Sequence, residues 1–155
     1  MVASHYGESV ELLIKAIKYH HHGAGAKQAG RLIARSFSPR WYDLVTWVPS
    51  SPAHYRARGY NQAELIAREV AKNFGLPYCN LLVRLGNQSQ VGTNREQRLS
   101  QLENAFAVRK RALIRGNRIL IIDDVLTTGS TLNECAQALI GAGAKRVHAA
   151  VVAKH

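Results

Sequence analysis

Residues 118–132 read Arg-Ile-Leu-Ile-Ile-Asp-Asp-Val-Leu-Thr-Thr-Gly-Ser-Thr-Leu. The continuous apolar run at the start of this stretch is typical of a strand that is covered on both faces. Apolar residues then recur at helical spacing from Leu132 to Ile140, and residues 146–153 form a second apolar run. A strand, a crossover helix and a second strand predict parallel neighbours in one sheet, so the sequence indicates an α/β fold.

The loop between the first of these strands and the helix carries the most distinctive chemistry of the chain. Asp123 and Asp124 are two of only three aspartates, and they sit adjacent at the end of the most hydrophobic strand. Four hydroxyl side chains then crowd the start of the helix, at Thr127, Thr128, Ser130 and Thr131. In open parallel sheets, ligands bind beyond the carboxyl ends of strands, where helix amino termini attract phosphate. Gly129 lets the backbone approach an anion closely. Carboxylates followed by a phosphate cradle suit a ribose 5-phosphate.

Three other interpretations of this loop were compared. The acids could merely end the strand while Thr128 or Ser130 caps the helix. Two acids, four hydroxyls and a glycine in nine positions favour a functional site instead. A P-loop requires a lysine after its second glycine, and none lies between Asp123 and Lys145. Receiver domains place a similar strand at their start, whereas only about 30 residues remain here, against the roughly 100 that such a domain needs.

Before this loop, the pattern alternates between helix and strand. Apolar residues have helical spacing over residues 10–17 and 29–37, with a break expected at Gly23 and Gly25. Residues 43–49 have the profile of a short buried strand, and a helix is predicted from Asn61 to the stop signal at Gly75. Residues 84–99 lose all periodicity and predict a long loop, which in a compact domain is usually functional or disordered.

Bulk properties limit the class of protein. A chain of 155 residues with 46% hydrophobic and 20% charged residues fits one soluble domain over residues 1–155. No apolar run approaches the roughly 20 residues that cross a bilayer, so a membrane span is not expected. The amino terminus lacks a secretory signal, and two cysteines are too few for a disulfide framework. The expected compartment is the cytoplasm.

The charge balance predicts an anionic partner. Lysine and arginine total 21 against 10 acidic residues, a net charge of +11. Nucleic acid and a phosphorylated metabolite are both anionic, so charge alone leaves the two open. The densest basic cluster, Arg109 to Arg111 with Arg115 and Arg118, keeps a nucleic-acid role open. Trp41, Tyr42 and Trp47 border or occupy a strand, which favours packing contacts over base stacking.

Residues 119–132 resemble the phosphoribosyl-pyrophosphate signature of type I phosphoribosyltransferases. Residues 58–67, Val48-Pro49 and Asn104-Ala105-Phe106 resemble the ComF/GntX-type branch, named after competence protein F, and the likeness covers nearly the whole chain. It implies a mostly parallel sheet flanked by helices, with a small hood built from the first helices and residues 84–104. Members often carry a zinc ribbon at the amino terminus, and this sequence begins just after the point where such a ribbon would end. The chain is therefore either a truncated form or a short member.

The resemblance also implies roles for individual residues. Asp123 and Asp124 would be catalytic, holding the ribose 2- and 3-hydroxyls and binding Mg²⁺ mainly through water. The ribose-phosphate site would comprise Val125, Leu126, Thr127, Thr128, Gly129, Ser130 and Thr131. Pyrophosphate would be bound by Ser50, Ser51, Arg56 and Arg58. Gln90, Arg95 and Arg98 would lie on a flexible loop that closes over bound substrate.

Two functions follow from this resemblance. The first is transfer of the phosphoribosyl group of 5-phosphoribosyl 1-pyrophosphate to a nitrogen nucleophile, with Mg²⁺ as cofactor. The alternative is a non-catalytic protein of DNA uptake that keeps the ribose-phosphate site and has single-stranded DNA or a competence helicase as partner. A homodimer is also left open.

Overall fold

A computed structural model describes residues 22–85 and 105–154 of the chain. In chain order, the elements are α1 (His22–Ser36), a 3-10 turn (Pro39–Trp41), β1 (Leu44–Trp47), α2 (Pro52–Arg58), α3 (Gln62–Phe74), β2 (Leu82–Arg84), β3 (Phe106–Val108), α4 (Arg111–Ile114), β4 (Arg118–Leu126), α5 (Ser130–Gly141) and β5 (Arg146–Lys154). The chain has the α/β architecture that the sequence predicts.

The central sheet has three parallel strands in the order β1-β4-β5. In its register, Trp47 pairs with Ile122, and Asp123 pairs with Val151. The predicted parallel pairing of β4 with β5 is therefore confirmed. All four residues of β1 and Ile119 to Ile122 of β4 are buried, as expected for strands covered on both faces.

Successive side chains of β4 enter two separate cores. Leu120 and Ile122 pack with α1 and α3, together with buried residues such as Ile33 and Ile66. Ile119 and Ile121 face the opposite side and pack with α5 and the second, antiparallel sheet of β2 and β3. This alternation follows from the period of two in a strand, and it fixes the direction in which β4 leaves the sheet.

The expected break at Gly23 and Gly25 is wrong, because α1 runs through both glycines. Its buried face includes the small residues Ala26 and Ala29 as well as Ile33, and packs against α3. The approach is so close that a Cβ at Gly30 would lie 2.5 Å from the Glu69 Cβ. Tertiary packing thus outweighs the roughly 1 kcal/mol by which a glycine disfavours a helix.

Several elements were not anticipated from the sequence. The short helices α2 and α4 and the β2–β3 pair have too few residues to show a clear period. The β2–β3 pair borders residues 86–104, which lie outside the described part, as do residues 1–21. The predicted helix at 10–17, most of the predicted loop and therefore the hood remain predictions. Within the two described ranges, no helix has both the length and the apolar character that crossing a membrane requires.

Candidate functional site

The exits of β1 and β4 lie side by side at the carboxyl edge of the sheet. The Val48 N–H donates a 3.0 Å hydrogen bond to the Ile122 carbonyl oxygen, immediately before Asp123. Residues 49–51 therefore leave β1 beside the last part of β4, which includes both aspartates and ends at Leu126. The structure thus brings together the loop after β1 and the loop after β4, which are separated by several elements along the chain.

A buried asparagine joins this edge to α3. The Asn61 Nδ2 donates to the Val48 carbonyl oxygen at 3.0 Å, while its Oδ1 accepts from the Ala63 N–H at 3.0 Å. One side chain thus caps α3 and holds the exit of β1. Asn61 lies in a motif used for the family resemblance, but the sequence did not reveal this role. Its position before a helix predicts the cap, whereas the contact with Val48 depends on tertiary structure.

The two aspartates form an acidic pair near the end of β4, which continues to Leu126. The Asp123 carboxylate accepts from the Asp124 N–H at 2.9 Å, and the Asp124 carboxylate accepts from the Val125 N–H at 2.8 Å. Burial, and then the negative charge of Asp124, raise the pKa of Asp123 well above the usual carboxyl range. Within residues 22–85 and 105–154, the one salt bridge joins Arg118 to Asp43. Neither Asp123 nor Asp124 therefore has a cationic side chain as an ion-pair partner there.

These carboxylates fit the way in which Mg²⁺ is usually bound. The described residues contain no cluster of three or more His, Cys, Asp or Glu side chains that could enclose a metal ion. Two acids are instead the number that Mg²⁺ uses when waters and substrate phosphates supply its other ligands. The donor set therefore suits an ion that arrives with an anionic ligand.

The loop beyond the acids turns sharply into α5. Gly129 has a left-handed backbone with φ 81°, and a Cβ there would lie 3.3 Å from the Leu126 Cδ1. Gly129 is also the N-cap of α5, so no side-chain cap closes this helix start in the described part of the chain. The amino end of a 12-residue helix is thus left open to an anion.

The hydroxyl groups lie around this helix start. The Thr128 Oγ1 and Ser130 Oγ are 3.0 Å apart, and the Ser130 N–H reaches the Thr128 Oγ1 only at 3.4 Å. Thr127, Thr128 and Ser130 are exposed, and Thr131 is half-buried. The simpler expectation, that Thr128 or Ser130 serves as the N-cap, is therefore wrong, and these hydroxyls remain accessible to a ligand.

The residues predicted to bind pyrophosphate differ in how firmly they are held. The Ser51 Oγ caps α2 by accepting from the His54 N–H at 3.2 Å, and Ser50 is half-buried. The Arg58 Nη1 donates to the Gln62 Oε1 at 2.7 Å, at the start of α3. Arg56 is exposed on α2. Two positions in a helix differ by about 200°, so Arg56 and Arg58 point in different directions.

Two further observations limit the site. Gln90, Arg95 and Arg98 of the predicted flexible loop lie outside the described residues. A groove of about 880 Å³ runs along the later turns of α5, where residues such as Phe106, Arg111 and Gln137 line it. This groove contains neither aspartate and none of the hydroxyls of residues 127–131. This groove is therefore distinct from the predicted ribose-phosphate site at residues 123–131.

The chain resembles known proteins in both sequence and fold. A family profile described as "Phosphoribosyl transferase domain" matches residues 61–155. Competence protein F of Haemophilus influenzae is 30% identical over 158 residues, covering 95% of this chain and 69% of that protein. The DNA utilization protein YhgH of Salmonella typhimurium is 29% identical over 153 residues, covering 93% of this chain and 66% of that protein. The chain thus spans about two thirds of the length of these relatives.

A likeness among solved structures concerns the fold alone. The allosteric regulatory enzyme of purine biosynthesis matches 84% of this chain and 25% of its own, with a TM-score of 0.60 and 23% identity. The arrangement of the sheet and its helices is therefore shared with a protein whose sequence has diverged widely.

Proposed function

Because the chain belongs to the phosphoribosyltransferase family, in its competence protein F branch and with the type I fold, we propose that it binds 5-phosphoribosyl 1-pyrophosphate with Mg²⁺. The observation that carries this proposal is the joint exit of β1 and β4. The hydrogen bond from Val48 to Ile122 holds residues 49–51 beside the acidic pair of β4 and the open start of α5. A ligand whose 5-phosphate and 1-pyrophosphate are separated by a ribose diol matches these three features.

Each part of the site has a chemical role in this proposal. The first turn of α5 and the hydroxyls of residues 127–131 bind the 5-phosphate, because backbone N–H groups and the helix dipole favour an anion there. Asp123 and Asp124 accept hydrogen bonds from the ribose hydroxyls and bind Mg²⁺, mainly through water. Residues 50–51 and the anchored Arg58 contact the pyrophosphate, for which a guanidinium group is geometrically suited. Arg56, Gln90, Arg95 and Arg98 contribute further contacts.

The reaction that this site supports is displacement of pyrophosphate from C1 of the ribose by a nitrogen nucleophile. The bond from C1 to the pyrophosphate oxygen breaks as the bond from C1 to nitrogen forms, and the nitrogen then loses a proton. Asp123 and Asp124 would hold Mg²⁺, which would supply positive charge for the leaving pyrophosphate. The protein contributes by orienting the ribose and by stabilising charge with groups that are already in place.

Calorimetry with three variants tests the binding proposal. Asp124→Asn and Thr128→Val should each weaken binding of 5-phosphoribosyl 1-pyrophosphate by about 10-fold or more, because hydrogen bonds to charged groups contribute roughly 1.5–3 kcal/mol. Glu134→Gln removes a carboxylate from the middle of α5 and should leave the affinity unchanged. Wild-type affinity in both site variants would show that the ligand binds elsewhere.

Release of pyrophosphate separates an enzyme from a binding protein. A panel of nitrogen bases is incubated with the protein, Mg²⁺ and labelled 5-phosphoribosyl 1-pyrophosphate, and Asp124→Asn serves as the control. Release that depends on both a base and Asp124 supports transfer. If the ligand binds with Mg²⁺ but no base causes release, the second candidate is favoured, a non-catalytic protein of DNA use. The similarity to a DNA utilization protein of Salmonella and the net charge of +11 favour this alternative.

A further inference from the structure

The amino edge of the central sheet, opposite the candidate site, is strongly basic. All three strands begin there, with the Asp43 N–H bonded to the Arg118 carbonyl oxygen at 2.8 Å and Arg118 paired with Arg146. We call this region the basal surface and define it as Arg40, Trp41, Arg115, Arg118, Lys145 and Arg146. It has five cationic side chains, while the nearby carboxylate of Asp43 is engaged by Arg118.

Two adjacent turns bring three of these cations together. The Gly116 N–H donates to the Gly143 carbonyl oxygen at 2.8 Å, and the Lys145 N–H donates to the Asn117 carbonyl oxygen at 2.9 Å. The turn before β4 is thereby joined to the turn before β5. Arg115, Lys145 and Arg146 are all exposed on these turns.

An exposed aromatic ring lies at the β1 end of the same edge. Trp41 is 50% exposed, and the Arg40 guanidinium carbon lies 5.6 Å from the centre of its ring. Tyr42 and Trp47 are buried, as the sequence predicts, whereas Trp41 does not lie in the core. The Arg118 Nη1 donates to the Arg40 carbonyl oxygen at 3.1 Å while its other nitrogens bind Asp43, so this Arg–Trp pair is attached to the sheet.

A groove of about 360 Å³ continues the basic surface beside the Arg–Trp pair. Arg31 and Arg35 of α1 line it, together with Pro39, the residue that precedes Arg40. Cations therefore extend from the turns before β4 and β5, past the exposed indole, to the end of α1. Such a path suits an extended anion better than a compact one.

Distance separates this surface from the candidate ribose-phosphate site. Arg118 begins β4, and Asp124 follows six residues later. At about 3.3 Å per residue, the two lie roughly 20 Å apart on opposite edges of the sheet. The basal cations therefore cannot contact the phosphates of a ligand held at residues 123–131, and the proposed function leaves them without a role.

We propose that the basal surface binds single-stranded nucleic acid. Arg115, Lys145 and Arg146 contact the phosphate backbone, and the exposed face of Trp41 stacks on a base. A cationic path with an aromatic platform is how proteins bind single strands without reading their sequence. This inference does not depend on the ribose-phosphate site.

Fluorescence anisotropy with a labelled oligothymidylate of about 16 nucleotides tests the inference. Three phosphate contacts predict that log K falls with log salt concentration with a slope of about −2. The double variant Arg115→Ala/Arg146→Ala should make this slope shallower by about 1.4. Trp41→Ala should weaken binding roughly 5- to 150-fold without changing the slope, because stacking releases no counterions.

Matched controls separate the basal surface from general charge. Lys27→Ala/Arg68→Ala removes the same charge from exposed positions of α1 and α3 and should leave the slope unchanged. Asp124→Asn should retain oligonucleotide binding, so failure of the ribose-phosphate proposal is distinguishable from failure of this one. Circular dichroism verifies that each variant is folded.

Three results would overturn the inference. The first is an absence of oligonucleotide binding at low salt. The second is a loss of slope in the control pair that equals the loss in the basal pair. The third is retention on vesicles of anionic phospholipid that the basal variants abolish while oligonucleotide binding is unaffected, since that would assign the surface to a membrane.

Discussion

The acidic pair Asp123 and Asp124 is expected to favour ligand binding while it lowers the stability of the free protein, and Asp123→Asn tests this directly. Burial and the charge of Asp124 raise the pKa of Asp123 in the folded state. The folded protein therefore holds a proton that the unfolded chain releases near pH 4. Wild-type stability must fall as pH rises from the ordinary carboxyl pKa through the raised one. Asparagine has no charge to bury, and its side-chain oxygen can still accept a hydrogen bond from the Asp124 N–H.

The size of this effect follows from the pKa change. A rise of one pH unit in the folded-state pKa corresponds to about 1.4 kcal/mol. In a domain of this size, 1 kcal/mol changes Tm by about 2–4 °C. We therefore expect Asp123→Asn to raise Tm by at least about 3 °C near pH 8 without ligand, with a smaller gain near pH 5. The same variant should weaken binding of 5-phosphoribosyl 1-pyrophosphate with Mg²⁺.

Differential scanning calorimetry at the two pH values measures the effect, with Asp43→Asn as control. Arg118 lowers the pKa of Asp43 to about 2, so this carboxylate stabilises the fold at any pH above its ordinary pKa. Its replacement should lower Tm equally at both pH values. A raised pKa of Asp123 is refuted if Asp123→Asn lowers Tm near pH 8, or if its effect is the same at both pH values.

Three further predictions concern the surroundings of the site. Gly129→Ala should destabilise the fold by roughly 1–2 kcal/mol in urea unfolding and weaken the ribose-phosphate complex, because φ is 81° there. A Cβ at Gly141, at the end of α5, would meet open space, so Gly141→Ala should be neutral or stabilising. Equal effects of Gly129→Ala and Gly141→Ala would contradict the role of the left-handed backbone at Gly129. Asn61→Ala should cost about 1–3 kcal/mol by leaving the Val48 carbonyl oxygen unpaired, whereas a cap role alone predicts full rescue by Asn61→Asp. Cys135 should resist thiol reagents in the native protein, because burial raises its pKa to about 12. The partly exposed Cys79 should react first, as measured by mass spectrometry of labelled peptides. Earlier labelling of Cys135 would show that it is accessible.

The sequence predicted the central elements because their signals are local. The apolar run of β4, the alanine- and leucine-rich period of α5 and the run of β5 each indicate one element, and the crossover then implies parallel pairing. Asn61 and Gly75 mark the two ends of α3 for the same reason, since caps and left-handed stops are read over a few residues. Chain-local patterns thus account for most of the sheet.

The features that were missed depend on contacts between distant segments. Gly23 and Gly25 favour a break, yet the packing of α1 on α3 keeps the helix continuous. The contact between Asn61 and Val48 joins residues that no periodic pattern relates. The basal surface likewise requires the register of β4 and β5, which places Arg118 beside Arg146.

The central claim is that residues 123–131 and residues 49–51 together hold a ribose 5-phosphate bearing pyrophosphate. Amide chemical shifts followed by NMR, during titration with 5-phosphoribosyl 1-pyrophosphate and Mg²⁺, test it most directly. The account predicts concerted changes at Asp124, Thr128, Ser130 and Ser51, with little change at Arg115 and Arg146. Changes confined to the groove beside Phe106 and Gln137, or to the basal surface, would contradict it.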